Sequence, residues 1–254
     1  MPRLLCVTAH PDDEAGNFGG TLAGLGGQGV QIRLICLTGG EAARNRGPAA
    51  NAAELIQLRA GELAASCKIL GIDRHEIWNL PDSGLTRVDF HQTASRLAQQ
   101  VREWRPDLLF AMGPEGGLTG HPDHGMAGLL ATAAFHWAAS ERCVPAAQAP
   151  VFQCPWLLYG SGRQPLPASP AVQLSPPDLA CDIGPWVERK RAAFHCHHTQ
   201  APLFPRFDAY LAHGGAREYY HFAAAPPHRE RPAGVVTVSP PALFDRLGEA
   251  ASPR

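Results

Sequence analysis

The sequence contains no apolar run approaching the ~20 residues that a helix needs to cross a bilayer, so no membrane span is expected. No Cys-x-x-Cys pair occurs among its seven cysteines, Cys6, Cys36, Cys67, Cys143, Cys154, Cys181 and Cys196, and the odd number speaks against a disulfide framework or a thiolate zinc site. A reducing, cytoplasmic setting is therefore expected. Neither sign of charge is in excess, since 22 Lys and Arg face 23 Asp and Glu, for a formal net charge of -1. The surface lacks the basic field that draws proteins to nucleic acid or anionic lipid, which leaves a small, roughly neutral substrate as the expected partner. The stretch from Met1 to His10 is too short in its apolar part for a signal peptide, so no export signal is read there. Internal repeats and low-complexity tracts are absent.

What is present is a chain of 254 residues, 45% hydrophobic and 18% charged, long enough to bury one substantial core. We read it as a single domain over 1–254, with a Pro- and Arg-rich tail after about residue 226 expected to pack loosely. Short apolar runs alternate with stretches of helical period, the pattern of helices packed on a mostly parallel sheet. Strands are expected over Leu4 to Thr8, Gln31 to Leu37, Ile77 to Leu80 and Leu108 to Met112. Helices are expected from about Asn51 to Leu70, stopped by Gly71, and from Phe90 to Trp104, ended before Pro106. Beyond about Ser140 prolines are frequent; loops and a few edge strands are expected there, with Phe152 to Tyr159 as a strand and Gly184 to His197 as a helix.

In such a fold, ligand sites gather in the loops at the carboxyl ends of the strands. Two clusters of chemically capable residues occupy those loops: Ala9-His10-Pro11-Asp12-Asp13-Glu14 after the first strand and Gly120-His121-Pro122-Asp123-His124 after the fourth. Three carboxylates and a histidine in one short loop repel one another unless a cation is shared between them. His10 and Asp13 are suited to bind zinc from a tight turn entering a helix, and the His121/His124 pair offers the missing third ligand. Three protein ligands leave one position open for water, whose pKa the metal lowers towards ~7. Asp12, beside a ligand, is placed to accept the proton of that water, and the remaining histidine to polarise a carbonyl or protonate a leaving nitrogen. Iron(II) or manganese(II) can replace zinc in a His/His/Asp site.

The two motifs resemble those of the LmbE-like, or PIG-L, N-acetylglucosaminyl deacetylases, and the resemblance spans residue 4 to about 200. It implies an α/β, Rossmann-like fold with a mostly parallel sheet and helices on both faces. It also implies one zinc ion per chain on His10, Asp13 and His124, Asp12 as general base, His121 at the oxyanion or as acid, and Asp123 orienting a histidine. The implied reaction is hydrolysis of the N-acetyl group of an N-acetylglucosamine conjugate of the bacillithiol- or mycothiol-precursor type, a small-molecule amino sugar. Gly39-Gly40-Glu41 is similar to the family's Gly-Glu turn, Arg59 with Glu62 to its Arg-x-x-Glu helix, and Pro81-Asp82 to a Pro-Asp turn facing substrate. On that basis Glu41, Arg59 and Asp82 are the substrate-binding candidates. The late segment from Lys190 to Gln200 resembles a Lys…His-x-Ser/Thr-Gln stretch, in which His197 is a supporting group.

Simpler readings compete. His10 to Glu14 can be a helix cap, Arg59 the i,i+3 partner of Glu62, and Asp82 a turn residue. Two other functions share the metal motifs, namely a zinc peptidase or phosphoesterase and a carbohydrate-binding protein with a catalytically silent metal. The sequence leaves the aglycone and a homo-oligomer open.

Overall fold

The computed structural model describes residues 1–145, 149–161, 174–227 and 232–248. Parts of the proline-rich stretch, 146–148 and 162–173, and of the tail, 228–231 and 249–254, lie outside the described residues. The first half runs β1 (Arg3–Thr8), α1 (Asp13–Leu25), β2 (Gln31–Thr38), α2 (Ala52–Leu70), β3 (Arg74–Leu80), α3 (Phe90–Trp104), β4 (Leu108–Met112) and α4 (Pro122–Ala138). The second half adds β5 (Trp156–Gly160), β6 (Leu179–Asp182), α5 (Val187–His195), α6 (Phe204–Ala212), β7 (Arg217–Ala224), β8 (Val236–Val238) and α7 (Leu243–Gly248).

The strands form one sheet in the order β3-β2-β1-β4-β5-β7-β6-β8. Pairings from β3 to β5 are parallel, β7 is antiparallel to both neighbours, and β8 is parallel to β6. Alternation along each strand explains why both faces are covered. Leu4, Cys6, Ile32 and Leu34 pack with α1, α2 and α5, whereas Leu5, Val7, Ile35 and Leu37 pack with α3 and α4. Neighbouring β1 and β4 each continue into a helix, so the crevice at their carboxyl ends is the switch point of the sheet. Both histidine motifs open there.

Helix ends follow local chemistry. Asn51 caps α2 through the N–H of Glu54, and Gly71 closes it in the left-handed conformation at φ 75°. Asp89 caps α3 through Gln92, and Arg105 ends that helix one residue before Pro106.

The second half departs from expectation. β7 is an interior strand, although its sequence puts Glu218 on the buried face. The carboxylate is tolerated because it accepts the N–H groups of Gly20 and Thr21, both at 2.8 Å, the Lys190 ammonium at 2.6 Å and the Tyr220 hydroxyl at 3.1 Å. It thereby ties β7 to α1 and α5. Glu218→Ala leaves Lys190 as an uncompensated buried charge and is expected to cost about 3–5 kcal/mol, read from the denaturant midpoint. The tail after residue 226 also differs, since its described part forms β8 and α7 and buries Leu243 and Leu247 in the core. Gly184 to His197 divides into a short 3-10 turn, Gly184–Trp186, and α5. Among the described residues no helix is long and apolar enough to cross a membrane.

Candidate active site

The loop after β1 turns sharply because Asp12 has a left-handed backbone, φ 115° and ψ -23°. A side chain at that φ is strained by roughly 1–3 kcal/mol, so its surroundings must hold it. The Asp12 N–H donates to Glu14 Oε2 at 3.0 Å, and its carbonyl accepts the N–H of Gly16 at 2.8 Å. Glu14 is fully buried, and its other oxygen accepts from Ser66 Oγ at 2.6 Å and pairs with His197 Nε2 at 2.8 Å. Asp12 sits at the N-cap position of α1 without any capping bond from its side chain. A helix cap therefore does not account for the motif.

The turn aims His10 and Asp13 at His124, which α4 presents from its first turn. His10 Nδ1 lies 3.2 Å from His124 Nε2, His124 Nε2 lies 3.2 Å from Asp13 Oδ1, and His10 Nδ1 lies 3.6 Å from Asp13 Oδ2. Ligand atoms at ~2.1 Å around a tetrahedral zinc ion are separated by about 3.4 Å, so the two imidazole nitrogens and the Asp13 carboxylate approach one another at spacings that fit that metal. Each histidine has a partner behind it: His10 Nε2 faces Asp82 Oδ1 at 3.2 Å and Asp123 Oδ2 at 3.4 Å, and His124 Nδ1 faces Thr119 Oγ1 at 3.2 Å. Such contacts fix which ring nitrogen is left for a metal. Two further groupings, His10/His121/His124 and His10/Asp82/Asp123, also bring one ligand atom each within 4.8 Å of one another.

Burial and neighbouring charge oppose each other at every group of the site. Burial presses the His10 imidazole towards neutrality, yet Asp123, Asp13 and Asp82 together hold its pKa well above the ordinary value. Asp12 is raised, chiefly by burial and partly opposed by Arg59, while Asp13 is held well below the usual carboxylate range because His124 and His10 outweigh its burial. The His121 ring is pushed down by burial and then by His10 and His124. His121 Nδ1 accepts the Asp123 N–H at 3.1 Å and so caps α4, which leaves Nε2 as the donor of the neutral ring.

Of the substrate-binding candidates Arg59 and Asp82 line the cavity and Glu41 does not. Arg59 is not paired with Glu62, which instead accepts from Thr199 N and Oγ1 at 2.7 and 2.6 Å. Its buried guanidinium donates to Gly40 O at 3.1 Å, to Pro11 O and to Asp12 Oδ2 at 3.0 Å, so its contacts are with the Asp12 turn. Glu41 does not line the cavity, and its Oε1 accepts the Asp82 N–H at 2.9 Å. Asp82 does line it, held by Ala42 N–H on Oδ2 at 2.8 Å and facing His10 with Oδ1. Asp123 is buried and accepts the N–H groups of Ser83 and Leu85 at 2.6 and 3.1 Å, and the histidine side chain it meets is His10.

Some contributors were not read from the sequence. Asn17 Nδ2 holds the Asp13 carbonyl at 3.2 Å, Ser66 and Ser83 each make one hydrogen bond to a motif residue, and Thr119 Oγ1 meets both His124 Nδ1 and the His121 N–H. Gly40, at φ 73°, lies directly against Arg59, and a Cβ there would collide with the guanidinium. Gly40→Ala is therefore expected to destabilise the protein by about 1–3 kcal/mol and to displace Arg59 from Asp12, measured by thermal unfolding alongside kcat.

The motif residues open on a cavity of about 720 Å³, whose far wall comes from the carboxyl-terminal half. That volume suits a ligand larger than one sugar ring.

Comparison with known proteins gives the setting of this site. The sequence profile described as PIG-L: GlcNAc-PI de-N-acetylase matches residues 5–135. A protein of Salinispora arenicola named 1D-myo-inositol 2-acetamido-2-deoxy-alpha-D-glucopyranoside deacetylase is 36% identical over 166 residues, covering 57% of the chain and 54% of that protein. One of Catenulispora acidiphila with the same name is 31% identical over 284 residues, covering 89% of the chain and 90% of that protein. The match thus spans about half of the first relative and nearly all of the second. Among solved structures, N,N'-diacetylchitobiose deacetylase from Pyrococcus horikoshii superposes with a TM-score of 0.73 at 21% identity, covering 87% of the chain and 84% of that protein. The 4-carboxy-2-hydroxymuconate hydratase of Pseudomonas putida superposes at 0.74 with 24% identity, covering 92% and 100%. At these identities the two structures show a shared fold, which by itself does not carry an activity.

Proposed function

Because the chain belongs to the PIG-L, GlcNAc-PI de-N-acetylase, family, we propose that it hydrolyses the acetamide of an N-acetylglucosamine conjugate, using zinc held by His10, Asp13 and His124. The observation that carries this reading is the pairing of three convergent ligand atoms with a carboxylate that takes no part in them. Asp12 Oδ2 is anchored by Arg59, and among the described residues no hydrogen-bond donor reaches Oδ1. A mere binding site has no need of a strained carboxylate held there.

The cation supplies Lewis acidity to water and to the amide carbonyl when bound. Asp12 Oδ1 accepts the proton of the attacking water and, as the acid so formed, returns it to the leaving amine nitrogen. His121 Nε2–H donates to the carbonyl oxygen as negative charge grows on it. Asp123 and Asp82 hold His10 from behind through its Nε2, which keeps Nδ1 directed at the metal position. Arg59 and Glu14 keep the Asp12 turn in its strained form.

The inositol glycosides that give the relatives their names are the first conjugates to test. Their names do not extend to the malate conjugate of the bacillithiol route, which the sequence left open beside them. The deciding experiment incubates purified protein with methyl N-acetylglucosaminide and with the inositol conjugate and measures free acetate and amine in equal amounts. Cleavage of a peptide or phosphoester set in place of the acetamide would overturn the reading.

A further inference from the structure

The cavity lining has two chemically contrasting parts. Asp12, Asp13, Asp82 and the three histidines crowd one of them. At the other, α6 turns one face inwards, with Leu203, Arg206, Phe207 and Tyr210 at i, i+3, i+4 and i+7. Phe207 is stacked on Phe194 of α5 with ring centroids 3.9 Å apart, which makes this wall continuous. Arg44 lines the cavity from the loop after β2. Arg44 and Arg206 are both exposed, and among the described residues neither forms an ion pair or a hydrogen bond. Among the described residues the carboxylates lining the cavity are Asp12, Asp13 and Asp82 alone, all in the part that holds the histidines. The whole wall formed by α5 and α6 lies outside residues 5–135, the part matched by the family profile, so it does not belong to the shared metal motifs.

We propose that the part formed by α5, α6 and Arg44 is the aglycone subsite and that it takes an aglycone combining an apolar, ring-like face with an anionic group, a carboxylate or a phosphate. The proposal rests on the deacetylase reading above. Phe194, Leu203, Phe207 and Tyr210 give an apolar surface on which a ring packs, and an arginine fork matches a carboxylate or phosphate in two parallel hydrogen bonds. Charge also fixes the orientation. An anion is repelled by the carboxylates around His10 and drawn to Arg44 and Arg206, so the acetamide of a bound conjugate is left facing Asp12.

The test compares methyl, phenyl, 4-carboxyphenyl, 4-phosphophenyl and inositol N-acetylglucosaminides by kcat/KM and, for the same glycosides, by calorimetric affinity. The phenyl glycoside is expected to exceed the methyl several-fold, and the better of the two anionic glycosides to exceed the phenyl by about tenfold, the effect of a charge-assisted hydrogen bond. Which anion gains more tells carboxylate from phosphate. In Arg44→Ala/Arg206→Ala the ratio of anionic to phenyl glycoside should fall to about one, and in Arg206→Glu it should invert. An anionic group that brings no advantage, an advantage that survives the double substitution, or an inositol conjugate that is preferred and indifferent to both arginines would each overturn the proposal. If no glycoside releases acetate while calorimetry still favours the anionic ones, the deacetylase reading fails and the subsite stands.

Discussion

Asp12→Asn is expected to lower kcat for acetate release by about 10²–10⁴-fold, with metal content unchanged at about one ion per chain. Asparagine is nearly the same size as aspartate and shares its tolerance of positive φ, so the turn at φ 115° survives the substitution. The amide oxygen can still accept from Arg59, which keeps that buried guanidinium from losing its partner. What disappears is the ability to take up a proton. KM should change far less than kcat, because the substituted atom acts on the reacting water and not on the sugar. Parallel assays of acetate release, bound metal and thermal midpoint check this. Turnover retained in the variant would remove Asp12 from the mechanism, and a loss of metal in step with activity would reassign it as a ligand.

His124→Ala is expected to abolish both metal binding and turnover, the latter by about 10³-fold or more, since a Lewis acid contributes several kcal/mol at about 1.4 kcal/mol per decade. The three proposed ligand side chains approach one another at 3.2, 3.2 and 3.6 Å, and deleting one leaves a two-point site. His124 stands on the first turn of α4, where its ring is held by Thr119, so truncation leaves one threonine hydroxyl without that contact and the core untouched. Elemental analysis of the variant against the parent protein reads the first effect directly. Chelation of the parent protein should reproduce the second, and reloading with zinc, iron(II) or manganese(II) in turn identifies the metal by the order of restored rates. Full activity in metal-free parent protein would exclude this chemistry.

Strands β1, β2 and β4 are legible in the sequence because they are buried on both faces and read as largely apolar runs, whereas edge strand β3 shows only its apolar end, Ile77 to Leu80, and hides its polar start at Arg74. The bounds of α3 and β4 match the expectation to the residue, as Asp89, Pro106 and the Ala/Leu/Val spacing supply local stop and start signals. His10, Asp13, His121 and His124 could be picked out for the same reason, each pair lying in a short loop after a strand. Arg59 shows where such reading stops. Helical spacing makes Glu62 its nearest acidic neighbour, but its actual acceptors are two carbonyls of the loops after β1 and β2 and Asp12, none of them visible from within α2. Glu41 is similar, since its partner is a backbone N–H about forty positions away. Interior strand β7 stayed hidden because Glu218 interrupts its apolar face, and only the long-range partners Lys190, Gly20 and Thr21 make a carboxylate acceptable there. α6 carries a proline in its first turn, a local start signal that the sequence does offer.

The bonds of Glu14 join three remote stretches of chain, because one carboxylate serves the Asp12 amide, Ser66 and His197 together. A fragment ending near residue 135 would keep every proposed metal ligand and the proposed base, yet it would lack His197 and so the imidazole that accompanies Glu14 in the interior. The interior support of the amino-terminal motif is therefore completed from the far end of the sequence, through the single imidazole of His197.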